Sequence, residues 1–156
     1  VAFLYQGTGE LAVRDRFRAN NLEQYLRVAG YQSIEDSFGW QKGTDLLLHL
    51  SHSRPQDGMF WVSMKFFEYL ASGTPLLVIP AEIEECRAIG LEFPQYAEAS
   101  TIDQVESRIS EIFLKWKTGE AVRHPHNSQA VVKYTWARQV SHLEEVMINV
   151  LEGKNE

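Results

Sequence analysis

Apolar runs alternate with amphipathic stretches along this chain, and the alternation has the strand–helix–strand rhythm that builds a parallel sheet. Val1-Ala2-Phe3-Leu4-Tyr5 opens as a buried strand and enters the turn Gln6-Gly7-Thr8-Gly9-Glu10. Leu11, Val13 and Phe17, set among Arg14, Asp15, Arg16 and Arg18, predict a first helix that Asn20-Asn21 ends. A helical turn over Leu22 to Leu26 leads to a second strand, Arg27-Val28-Ala29-Gly30-Tyr31. Ser33 with Asp36 three positions later caps the next helix, which Gly39 weakens. Its helical spacing is kept by Ile34, Phe38 and Gln41 or Lys42, and Gly43 ends it. Asp45-Leu46-Leu47-Leu48-His49-Leu50 is apolar on both faces, which predicts a central strand.

The second half repeats the rhythm. Leu76-Leu77-Val78-Ile79 reads as a fully buried strand, and a helix with Ile83, Cys86 and Ile89 runs to Gly90. Leu91-Glu92-Phe93 and the Tyr96 to Ala99 segment read as a short edge strand. Thr101 caps an amphipathic helix with a stripe of Ile102, Val105, Ile109, Ile112 and Phe113 that is expected to be buried. Gly119 to Asn127 is a polar loop. A last helical region carries an apolar stripe from Val131 to Leu151, with Trp136 expected as a core anchor. The pattern as a whole predicts an α/β fold, a three-layer Rossmann-like parallel sheet with helices on both faces, in a single domain over residues 1–156.

The stretch Ser63 to Pro75 is where polar and apolar residues separate most cleanly. At about 100° per residue, Lys65, Glu68, Tyr69 and Ser72 share one face while Phe66, Phe67 and Leu70 share the other. Ser63 is a strong N-cap, Gly73 suits the left-handed residue past the helix end, and Pro75 cannot prolong it. A helix N-terminus offers unpaired N–H groups and partial positive charge to an anion. A carboxylate such as that of Glu68 accepts well from a vicinal diol. On geometry alone, the simpler reading of Glu68 is a residue that keeps an exposed face soluble.

Composition narrows the function classes. The 156 residues carry a formal net charge of −6, which gives no basic footprint for nucleic acid. One cysteine, Cys86, excludes an internal disulfide and fits a reducing compartment. No apolar run is long enough to cross a bilayer. The expected location is cytoplasmic, including the inner face of the membrane, with peripheral membrane contact left open. His49 and His52 have no Cys or acidic companion at metal-ligand spacing, so no metal is expected.

The run Lys65-Phe66-Phe67-Glu68-Tyr69-Leu70-Ala71-Ser72-Gly73-Thr74-Pro75-Leu76-Leu77 resembles the K-L-F-E-Y-L-A-x-G-x-P-[VIL]-[VIL] signature of GT-B-fold retaining glycosyltransferases. Tyr134-Thr135-Trp136-Ala137-Arg138-Gln139-Val140 is similar to the segment that opens the terminal helix of the same enzymes. The resemblance runs from Val1 to about Leu151 and covers the C-terminal, donor-binding half of a GT-B fold. It implies that Glu68 holds the donor ribose and that the Ser63, Met64 and Lys65 amides cradle the diphosphate. The loop after the third strand, with Ser51, His52, Arg54 and Gly58, is expected beside the donor. No cofactor is implied; a nucleoside-diphosphate sugar is the donor substrate.

Three features depart from the family. Its first strand and the basic loop that follows it are not found, and neither is the N-terminal acceptor domain. The chain is therefore expected to be a fragment, inactive alone, whose partners are a nucleotide sugar and that acceptor domain, with self-association left open. Phe60 stands where the first of the family's paired glutamates would be. The expected function is donor binding in a retaining glycosyltransferase that builds a cell-surface glycan or lipid-linked saccharide. A GT-B nucleotide-sugar epimerase and a non-enzymatic Rossmann-like interaction domain are the alternatives.

Overall fold

The computed structural model describes residues 1–50, 62–81, 83–120, 123 and 128–153. The chain is α/β with parallel strands, and it divides into two compact units, Val1–Gly43 and Thr44–Glu156.

The first unit contains β1 (Phe3–Gln6), α1 (Glu10–Ala19), a 3-10 turn (Glu23–Tyr25), β2 (Leu26–Gly30) and α2 (Ile34–Gly43). β1 and β2 pair in parallel from Phe3 opposite Leu26 to Gln6 opposite Gly30, with an irregularity between Tyr5 and Gln6. The expectation of a buried first strand does not hold: Phe3 is 39% exposed, its ring packs edge-on against Phe17 of α1, and Leu4 to Gln6 are half-buried. A two-stranded sheet leaves each strand only one neighbour, so an apolar sequence does not by itself secure burial. The cap of α2 forms as read, with the Asp36 N–H donating to Ser33 Oγ at 3.1 Å. Of the residues that keep its helical spacing, Ile34 and Phe38 are exposed whereas Gln41 is buried. Ser37 connects Gln41 to β1 by accepting from Gln41 Nε2 and donating to Gln6 Oε1.

The second unit contains β3 (Leu47–Leu50), α3 (Met64–Ser72), β4 (Leu76–Ile79), α4 (Glu84–Gly90), β5 (Tyr96–Glu98), α5 (Ile102–Thr118), α6 (Ser128–Lys133) and α7 (Trp136–Leu151). Its sheet is parallel in the order β3-β4-β5. β4 is the central strand, with Leu76, Leu77 and Val78 all buried. Phe66 and Leu70 of α3 meet Leu76, Val78, Ile83, Cys86 and Phe93 in one core. Burial, with a smaller contribution from Glu85, pushes the Cys86 thiol up to about 11, so it stays protonated as a core residue.

Three expectations are corrected here. β3 is a terminal strand of its sheet rather than a central one, and Leu48 and Leu50 are exposed. α5 forms with a full capping box between Thr101 and Gln104, but its stripe is not buried: Ile102, Ile109 and Phe113 are exposed, and only Val105 and Ile112 are half-covered. Trp136 is 74% exposed and anchors no core. The chain is tied to the core just before it, through Ala130, Val131 and Tyr134. Thr135 then caps a new helix that buries none of its residues. Among the described residues, no helix is long and apolar enough to cross a membrane.

Candidate nucleotide site on helix α3

Helix α3 has both ends fixed by its own sequence. Ser63 has extended backbone and its Oγ accepts from the Phe66 N–H at 3.4 Å, which satisfies one of the orphan donors of the first turn. Met64 and Lys65, the first two residues of the helix, are both exposed. At the other end Gly73 takes φ 73°, a left-handed conformation that a Cβ would oppose. Two carbonyls of the last turn also find side-chain donors. Ser72 Oγ donates to the Tyr69 carbonyl at 2.7 Å, and Gln95 Nε2 donates to the Leu70 carbonyl at 2.8 Å.

Of the expected site residues, Ser63, Met64, Lys65 and Glu68 are brought together on one helix. Glu68 follows Met64 by four residues and Lys65 by three, so its carboxylate lies on the same side, one turn along. Glu68 is half-buried. Ser51, His52, Arg54, Gly58 and Phe60 lie outside the described residues.

Tyr69 departs from the expected outward face. It packs against the core, with its ring edge-on to buried His49 at 6.1 Å. Burial raises its phenol above the ordinary range, and the charge of adjacent Glu68 adds to this. His49 also lies 5.8 Å from the Phe66 ring, so it is a core residue directed at α3. Among the described residues, no group of three His, Cys, Asp or Glu side chains is placed to hold a metal ion.

The turn Gly7-Thr8-Gly9 is tied to the end of β2 and to Tyr5 of β1. The Gly7 N–H donates to the Gly30 carbonyl at 3.1 Å, and the Tyr5 hydroxyl donates to the Thr8 carbonyl. The Gly7 amide is thus used, and the Tyr5 hydroxyl lies beneath the two glycines.

Two supports of the α3 region escaped the sequence reading. Gln95 has no periodic signature, being a buried amide in an irregular turn after Pro94. Glu92 accepts from Lys133 Nζ at 2.6 Å and from the Tyr134 hydroxyl at 2.7 Å, while the Tyr134 ring packs on Phe67 of α3. A depression of about 310 Å³ lined by Glu92, Gln129, Ala130 and Lys133 lies at this ion pair.

No protein-family model matches the chain, and no curated protein matches it.

Proposed function

We propose that this chain is the donor-binding domain of a retaining glycosyltransferase, with a nucleoside-diphosphate sugar as donor. The observation that carries the reading is the pairing, on one locally capped helix, of the exposed first-turn residues Met64 and Lys65 with the Glu68 carboxylate one turn further on. The amides suit a diphosphate and the carboxylate suits the ribose diol. The resemblance of the Lys65–Leu77 run supports the same assignment.

In this reading the strands belong to a three-layer Rossmann-like sheet, the C-terminal half of a GT-B fold, and the acceptor-binding domain is supplied outside these 156 residues. Catalysis would rest on positioning the donor and stabilising the charge that develops on the departing diphosphate. The proposed location is cytoplasmic, where nucleotide sugars would meet a glycan or lipid-linked acceptor. The test is titration calorimetry of the 156-residue chain with UDP and with GDP, alongside a donor-hydrolysis assay. Weak binding of one nucleotide without turnover is expected. Binding of neither would remove the donor-site assignment, and multiple turnovers by this chain alone would contradict its reading as one half of an enzyme.

A further inference from the structure

Three polar side chains meet at the carboxyl end of β5, outside the set assigned to the donor so far. The Tyr96 hydroxyl donates to Glu98 Oε2 at 2.8 Å, and Arg87 of α4 meets Glu98 Oε1 through Nε at 3.2 Å. Glu98, the last residue of the strand, is half-buried, whereas the Arg87 side chain is 63% exposed. One edge of the guanidinium is thus held by a carboxylate that is itself fixed, and the donors at its tip remain for an external anion. We propose that Arg87 is a second anion contact of the donor site and takes the terminal phosphate of a nucleoside diphosphate. The inference rests on the reading of α3 as the donor site.

Topology brings the guanidinium to the same edge of the sheet as the start of α3. β3, β4 and β5 are parallel, and α3 and α4 pack on one face of them, since Phe66, Leu70, Ile83 and Cys86 share a core with Leu76 and Val78. Each helix begins beyond the carboxyl end of the strand before it, the edge at which open α/β sheets bind ligands. Arg87 stands three residues after the first residue of α4, and Phe66 is the third residue of α3. The Tyr96 ring lies edge-on to the Phe66 ring at 6.3 Å. Contacts therefore run from the capped first turn of α3 through Phe66, Tyr96 and Glu98 to Arg87.

Charge supplies the reason for a second contact. The first turn of a helix offers only partial positive charge, whereas a diphosphate carries more than one full negative charge. A guanidinium at the neighbouring strand end balances the remainder. Burial first, then the bond to Glu98, raises the Tyr96 phenol above its ordinary range. Tyr96 therefore keeps its proton and goes on donating to Glu98 at neutral pH.

The test is calorimetric titration of the full 156-residue chain with UDP and UMP, or with GDP and GMP, whichever base wild type binds. An exposed ion pair adds little to stability, so Arg87→Gln should stay folded, which its melting curve checks. Wild type should bind the diphosphate several-fold more tightly than the monophosphate. Arg87→Gln should lose about tenfold for the diphosphate, the worth of one charge-assisted hydrogen bond, and less than about twofold for the monophosphate. Arg87→Lys should fall between the two, and Arg108→Gln, in an exposed ion pair on α5, should match wild type. Unchanged diphosphate affinity in Arg87→Gln, or an equal loss for both nucleotides, would overturn the role of Arg87 and leave the α3 assignment standing. Wild type that binds no nucleotide would remove the α3 assignment itself, and this inference with it.

Discussion

The side-chain amide of Gln95 donates to the carbonyl of Leu70 across 2.8 Å, and both residues are buried. This bond ties the C-terminal turn of α3 to the segment before β5, twenty-five residues later. The Gln95 backbone carbonyl meanwhile accepts from the Leu76 N–H at 2.9 Å, so one residue braces the end of α3 and the start of β4.

Gln95→Leu should therefore destabilise the second unit by about 1–3 kcal/mol, because the Leu70 carbonyl loses a donor where water cannot replace it. Urea unfolding followed by tryptophan fluorescence would measure the loss. An unchanged midpoint would mean that the carbonyl is satisfied some other way.

Gly90 and Tyr96 form a second close pair. A Cβ on Gly90, at the end of α4, would stand inside the van der Waals envelope of the Tyr96 ring. Gly90→Ala should then cost about 1–3 kcal/mol through overpacking, although the same change at an open helix position would help. In a Tyr96→Leu background the cost should shrink, giving a coupling of about 0.5 kcal/mol or more in a double-mutant cycle. Additive effects would show that the ring yields without strain.

The start of α3, the turn after it and β4 were legible in the sequence because their determinants are local. Ser63 caps, Gly73 supplies the left-handed residue, and Leu76 to Val78 need no neighbour to reveal that they are apolar on both faces. β3 was misplaced for the converse reason: Leu46 to Leu50 reports a preference for burial, but not how many strands stand beside it. The apolar stripes of α5 and α7 were likewise visible as helix faces, and periodicity names a face without naming what covers it. Gln95 was invisible, since a buried amide in an irregular turn has no period.

The Glu92 cluster should make stability respond to acid. Hydrogen bonds from Lys133 first, then Tyr134, hold the Glu92 carboxyl below the ordinary carboxylate range. Its contribution is thus fully present above that range and is lost as pH falls through the lowered folded-state value. Tyr134 works at the other limit. Burial first, then the bond to Glu92, raises its phenol, so its contribution is present below the ordinary phenol range and lost as pH rises through the raised value. Melting curves of wild type and Glu92→Gln should separate at neutral pH and begin to draw together once pH falls below the ordinary carboxylate range of about 4. A constant difference down to pH 3 would contradict this origin.

The most direct measurement is the nucleotide affinity of Glu68→Gln. The amide preserves size and helix propensity but replaces charge-assisted hydrogen bonds to the ribose with neutral ones, a loss of roughly 1–2 kcal/mol, or about 5- to 30-fold in affinity. Glu106→Gln, an exposed carboxylate on α5, serves as the control and should leave binding unchanged. Calorimetric titration of UDP or GDP, whichever wild type binds, should show the loss for Glu68→Gln alone. Equal affinity for Glu68→Gln and wild type would contradict the assignment of α3 as the donor site.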